Sequence, residues 1–292
     1  MTLTGLYVPL ITPFDERGAV ALDTLAALAH HVLDAGAAGL VALGTTAEPE
    51  ALSDRERHEV LDTIASICRD RGRHLLVGAH TVESLRALDG RPEVTAALCL
   101  VPPFLRPGEA GVLAYFARLA EASHVPLVAY HVPYRTGQQL SAQALQRLAA
   151  LPGVAGLKHA VGGIDADTIA FLADAPAGFA VLGGEDAFIS PLLALGGHGG
   201  ILASAHLATA DFVALIDAWK VGEVDRARPL GHRLAALSAA LFAEPNPSVI
   251  KAVLHAQGRI PTADVRLPLL PATPEATQLA LRYADDLAGA TT

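Results

Sequence analysis

Short, unbroken apolar runs recur along the chain at residues 6–11, 39–43, 75–78, 97–101, 126–130, 154–157, 180–182 and 200–202. Their hydrophobicity is continuous rather than alternating, the pattern of parallel strands covered on both faces. Between them lie stretches with helical spacing, clearest at 22–35, 54–71, 111–123 and 141–150. Ser53 and Ser141 offer side-chain oxygens to open two of these helices, and Gly36 and Gly72 mark the ends of two. Regular alternation over eight such units predicts an α/β chain closed into a (β/α)₈ barrel, the TIM barrel. A doubly wound sheet is the structural rival, but no Gly-x-Gly-x-x-Gly follows the first strand. Past residue 202 the pattern is helical, punctuated by Pro245, Pro247, Pro261 and Pro268. No linker composition sets this tail apart. The expected organisation is a barrel catalytic domain over residues 1–225 with a C-terminal helical extension, 226–292, packed on it.

Composition narrows the function classes. Hydrophobic residues make up 52% and charged residues 17% of the 292, enough apolar material for a large core and too much for disorder. A net charge of −9 and the lack of any basic run speak against nucleic acid and leave a small molecule as the expected partner. Cys68 and Cys99 give no disulfide framework and read as reduced thiols. The first residues lack the features of a signal peptide, and no run reaches the ~20 apolar residues of a membrane span. A cytoplasmic protein with no membrane contact is the expectation.

In a barrel of this kind the residues just beyond the C-terminal ends of the strands build the active site. Those positions hold Thr12, the segment Gly44-Thr45-Thr46-Ala47-Glu48, His80, Phe104, Tyr130, Lys158, Gly183-Gly184 and Ser204. Lys158 is one of three lysines among 21 basic residues, so arginine fills most ordinary cationic places. An amine desolvated at a barrel mouth loses basicity and becomes a nucleophile toward a carbonyl, which a guanidinium cannot be. The competing reading is a lysine whose stem covers apolar surface while its amine reaches water. Tyr130 ends the preceding strand, where a phenol could move protons or merely cap the barrel rim. The Gly44-Thr45-Thr46 turn offers backbone N–H groups and two hydroxyls that suit a carboxylate, or it is simply a tight turn.

Several ordered motifs then combine: Thr12-Pro13-Phe14-Asp15, Gly44-Thr45-Thr46-x-Glu48, Tyr130-His131-Val132-Pro133-Tyr134-Arg135-Thr136-Gly137, Gly156-Leu157-Lys158, Asn246-Pro247 and Arg266-Leu267-Pro268-Leu269. Over nearly the whole chain they resemble the dihydrodipicolinate synthase/N-acetylneuraminate lyase family. The resemblance implies a Schiff-base-forming lyase of the class I aldolase type acting on pyruvate or a related 2-oxo acid, with synthesis of 4-hydroxy-tetrahydrodipicolinate among its activities. It implies Lys158 as the imine-forming lysine, Tyr130 as the proton-shuttling phenol and Thr45 as its relay. Thr45 and Thr46, in the turn opened by Gly44, would hold the 2-oxo acid carboxylate. Arg135 would grip the carboxylate of an aldehyde co-substrate with its planar fork, and Gly184 would permit close substrate approach. It further implies a homotetramer of two tight dimers, or a homodimer, and chemistry that needs no metal or organic cofactor.

Three departures from the family pattern stand out. Family synthases carry Pro-Tyr-Tyr, whose second tyrosine enters the neighbouring subunit's site; here Pro102-Pro103-Phe104-Leu105-Arg106-Pro107 puts Phe104 there, and phenylalanine passes no proton. This form is similar to the family's dehydratase branch, so a deoxy-keto-sugar-acid aldolase or dehydratase is the alternative activity. Ala47 and Pro49 replace the usual Gly and Ser after the threonine pair. The segment between Gly78 and Pro102 is short, and no inhibition by lysine is expected. Two rivals remain. A metal-dependent aldolase would draw on His80, His131, His159 and His206, among twelve histidines, yet they show no ligand spacing. A non-catalytic 2-oxo-acid-binding relative would keep the pocket without turnover.

Overall fold

The computed structural model describes residues 2–289. Eight strands, β1 Gly5–Pro9, β2 Gly39–Ala42, β3 His74–Gly78, β4 Val94–Leu100, β5 Leu127–His131, β6 Val154–His159, β7 Ala180–Gly183 and β8 Gly199–Ile201, pair in parallel in sequence order. β8 returns to β1 through Gly5↔Gly199, Leu6↔Gly200 and Tyr7↔Ile201, which closes the barrel. The predicted barrel is the observed one.

Side-chain alternation divides the interior into two cores. Outside the sheet, Leu40, Leu75, Ala129, Leu157 and Val181 pack against the surrounding helices. Inside it, Tyr7, Val41, Leu76, Leu98, Val128, Leu182 and Ile201 fill the barrel below its mouth. The surrounding helices are α1 Leu22–Asp34, α2 Asp54–Asp70, α3 Val82–Arg86, α4 Gly108–Ala122, α5 Pro133–Thr136, α6 Ala142–Ala149, α7 Ala166–Ala173, α8 Ile189–Ala194 and α9 Ala205–Lys220. Three more follow: α10 Val224–Leu241, α11 Ser248–Ala256 and α12 Pro274–Gly289. Among the described residues, no helix is long and apolar enough to cross a membrane.

Local chemistry sets the ends as read from sequence. Ser53 and Glu56 form a reciprocal capping box at α2, and Ser141 accepts from the Ala144 N–H at the start of α6. Gly36 and Gly72 take φ of 100° and 58° just past α1 and α2. Three strand limits differ from expectation by two residues or more, and β6 runs on to His159, so that Lys158 lies within the strand rather than just beyond it. β1 stops at Pro9, two residues early. β4 starts at Val94, three residues early, where the register shifts between Leu75 and Leu76 and the Thr95 hydroxyl accepts the Leu75 N–H. The polar Thr95 hides this start from a search for apolar runs.

Candidate active site

β5 and β6 lie side by side with Tyr130 opposite Lys158. Alternation turns both side chains into the barrel mouth, because Ala129 and Leu157, the residues just before them, belong to the outer core. Lys158 is 6% exposed, and its Nζ stands 4.2 Å from the centre of the Tyr130 ring. Burial pulls the amine down to about 8; Arg135 adds to the fall, while Asp186 and Glu185 oppose it. An amine at about 8 is neutral in roughly one molecule in ten at pH 7, against about one in a few thousand for an ordinary lysine. Burial also raises the Tyr130 phenol, with Arg135 and the Thr45 hydroxyl working the other way.

Gly184 follows β7. A Cβ added there would lie 2.5 Å from Lys158 Cε and 2.7 Å from Cγ. The lysine stem occupies the volume that any side chain at 184 would need, so glycine is a condition for the amine to reach the cavity.

Past β2 the chain bends through Leu43, at φ 53°, into a single 3₁₀ turn, Thr45–Ala47. The Ala47 N–H donates to the Gly44 carbonyl at 2.9 Å and the Glu48 N–H to the Thr45 carbonyl at 3.3 Å. The N–H groups of Thr45 and Thr46 find no acceptor among the described residues, so two backbone donors and two hydroxyls share one turn. The C-terminal part of the chain holds this turn. Asn246 Nδ2 donates to Thr46 Oγ1 at 2.9 Å. Glu48, at φ 55°, accepts from Lys251 Nζ at 2.6 Å and from the Arg266 N–H at 2.8 Å. Gly44 itself is under no steric demand, since a Cβ there would meet Val41 Cγ1 at an ordinary 3.6 Å.

Two adjoining cavities result. The inner one is lined by Lys158, Tyr130, Thr45, Thr46, Gly184 and Arg135, together with Glu185, Asp186 and Asn246. The outer one lies beside it and is walled largely by Leu43, Leu98, Leu100, Pro103, Leu267 and Leu269. Thr45, Tyr130 and Arg135 line both and form the threshold. Arg135, on α5, is exposed, its guanidinium 5.7 Å from the Tyr134 ring centre. Seven of the eight residues singled out from sequence thus gather around this threshold. Phe104 sits apart at the outer rim, 88% exposed with φ 65°, and does not enter the inner cavity of its own chain.

Sequence reasoning passed over two carboxylates. Asp186 is buried, accepts the Ser204 N–H at 2.6 Å, and is pushed up to about 6 by burial, with Ser204 and Lys158 resisting. Glu185 is raised by burial as well, and its Oε2 is buried without a partner among the described residues. Both follow directly on the Gly183-Gly184 pair at a strand end, a position that should have flagged them. The four histidines considered as metal ligands do not converge. His159 Nε2 pairs with the Thr168 hydroxyl and His206 Nε2 accepts from the Ile11 N–H. Among the described residues, no group of three or more His, Cys, Asp or Glu is placed to hold a metal ion.

Comparison with known proteins places nearly the whole chain in one family. The model of the dihydrodipicolinate synthetase family matches residues 2–284. The 4-hydroxy-tetrahydrodipicolinate synthase 2 of Clostridium acetobutylicum is 34% identical over 93% of this chain and 96% of its own length. The 4-hydroxy-tetrahydrodipicolinate synthase of Syntrophus aciditrophicus is 35% identical, covering 91% of each. Among solved structures, the dihydrodipicolinate synthase of Thermotoga maritima superposes with a TM-score of 0.93 at 27% identity, over 99% of both chains. A chloride-inhibited dihydrodipicolinate synthase from Acinetobacter baumannii, complexed with pyruvate, gives 0.91 at 30% identity over 99% of both.

Proposed function

The chain belongs to the dihydrodipicolinate synthetase family, and from that premise we propose that it condenses pyruvate with an aldehyde through an imine on Lys158, as a 4-hydroxy-tetrahydrodipicolinate synthase does. One observation carries the assignment of the lysine: a buried amine, brought down to about 8 by desolvation, 4.2 Å from the face of a buried tyrosine.

The chemistry follows from the residues at hand. The neutral amine of Lys158 attacks the keto carbon of pyruvate, and the carbinolamine loses water to give an iminium. That iminium is an electron sink for the adjacent methyl, which gives up a proton and becomes an enamine. The enamine carbon adds to the aldehyde, and water then releases the product and frees the lysine. Tyr130, beside the amine, carries protons in these steps, and Thr45 connects its phenol to the outer cavity. The N–H groups and hydroxyls of the 45–46 turn hold the pyruvate carboxylate. Arg135, at the threshold, takes a carboxylate on the incoming aldehyde. Gly44 stands at the entry to the turn, and Gly184 leaves room for the lysine stem. Phe104, at the rim, is positioned to pack against a neighbouring protomer of a tight dimer, itself paired into a tetramer.

Phe104 favours a second reading, since it has no phenol to complete a relay. In that reading the same imine forms on a deoxy-keto-sugar acid, which is cleaved or dehydrated. The test is borohydride reduction in the presence of pyruvate followed by mass spectrometry, with a substrate panel of aspartate semialdehyde, N-acetylneuraminate and deoxy-keto-sugar acids. One adduct on Lys158, absent in Lys158→Ala, is expected, with turnover of the semialdehyde. No adduct on the wild type overturns the imine. An adduct without turnover of any panel member leaves a binding protein, and turnover of the sugar acids alone selects the second reading.

A further inference from the structure

Asn246 lies on the loop between α10 and α11, lines the inner cavity, and touches a turn 200 residues away in sequence. Its Nδ2 can only donate, so the 2.9 Å bond to Thr46 Oγ1 makes the threonine oxygen the acceptor. A hydroxyl that accepts in this way keeps its single proton for another partner. Thr46 lines the same cavity as Lys158, and the N–H groups of Thr45 and Thr46 are left without acceptors beside it. The other end of the amide, Oδ1, is buried and has no partner among the described residues. A buried amide satisfied at one end only is what a cavity-facing group looks like before its bonds are completed by an occupant.

We infer that Asn246 is a positioning residue for recognition of the 2-oxo acid: it holds the Thr46 hydroxyl so that its proton is donated to the substrate carboxylate. The inference rests on the reading above that the 45–46 turn receives that carboxylate. The anchoring is local and double. Asn246 fixes the hydroxyl, while Lys251, one turn into α11, fixes the same turn through Glu48. Lys251 is buried in an ion pair and acts on the backbone course of the turn; Asn246 acts on the direction of one hydrogen bond.

Direction is what the test must read. Asn246→Ala removes the donor. Asn246→Asp keeps the shape but presents an acceptor, so Thr46 would donate to it and turn its proton away from the substrate. Imine trapping is followed against pyruvate concentration in the wild type, these two variants, Thr46→Val and the double variant Asn246→Ala/Thr46→Val. Asn246→Ala is expected to raise half-saturating pyruvate about tenfold, the size of one hydrogen bond to a charged group. Trapping at saturation and the aldehyde KM should change by less than about twofold. Asn246→Asp should be worse than Asn246→Ala, and the double variant should match Thr46→Val alone, because Asn246 acts only through Thr46. Asn246→Asp trapping with wild-type pyruvate dependence, or Asn246→Ala and Thr46→Val effects that multiply, overturns the inference. So does a fall in thermal midpoint with unchanged pyruvate dependence, which marks a purely structural residue. A wild type that traps no pyruvate overturns the imine reading itself, and this inference with it.

Discussion

Lys158 and Gly184 act as one unit, because the lysine stem fills the space a side chain at 184 would take. Gly184→Ala should displace the amine by a fraction of an ångström or more. The expected result is a loss of roughly 10²-fold in kcat, by misplacement of a reacting group, with at most about 1–3 kcal/mol lost from stability by overpacking. Steady-state kinetics and chemical denaturation on the same preparation check both halves. The ionisation of the site gives a second expectation. In the free enzyme the amine must be neutral to attack, so kcat/KM for pyruvate should rise with pH along a limb set by the Lys158 value of about 8. Asp186 holds that value up. Asp186→Asn should therefore move the limb to lower pH, whereas Arg135→Gln, which removes a neighbouring positive charge, should move it higher. An unmoved limb in both would separate the titration from this lysine.

At the scale of elements, the active-site turn after β2 depends on a distant part of the chain. Glu48 and Lys251 have side chains 2% and 0% exposed, an ion pair wholly removed from water. Removing one partner leaves the other charged and buried, which costs about 3–5 kcal/mol. Lys251→Ala should accordingly lower unfolding free energy by that amount in urea titration, and Lys251→Met combined with Glu48→Leu should recover a large part of it. Recovery of stability without recovery of pyruvate trapping would show that the pair also shapes the turn. Strands and long helices were legible here, because buried strands are continuous apolar runs and long helices repeat their spacing several times. The short helices α3, α5 and α8, of 5, 4 and 6 residues, complete too few turns to show a period. They follow from the space between strand and helix layers rather than from their own sequences.

For the molecule as a whole, the rim of the barrel mouth is the surface with the most to explain. Phe104 and Leu105 are 88% and 79% exposed, and Phe104 and Arg106 both take positive φ, at 65° and 45°. Large exposed apolar side chains on a constrained loop suit contact with another copy of the chain. Sedimentation should give a multiple of the 30.2 kDa protomer, and Phe104→Asp should shift it toward the monomer with loss of activity on dilution. A wild-type monomer would remove the assembly reading. Lysine, added at millimolar concentration to the active protein, should leave turnover unchanged.

The alternation of strands and helices, the capping of α2 and α6, and the inward direction of Tyr130 and Lys158 were determined by the sequence itself, because each depends on residues within a short stretch of chain. The threonine turn and the lysine were legible for the same reason, being local features at strand ends. Only the tertiary structure decided that Asn246 meets Thr46 across 200 positions, that Lys251 neutralises Glu48 across 203, and that Asp186 shares a cavity with Lys158. Those contacts exist because closing eight strands brings every strand end to one rim and lets the C-terminal helices fold back over it. No periodicity along the chain encodes a distance across that rim.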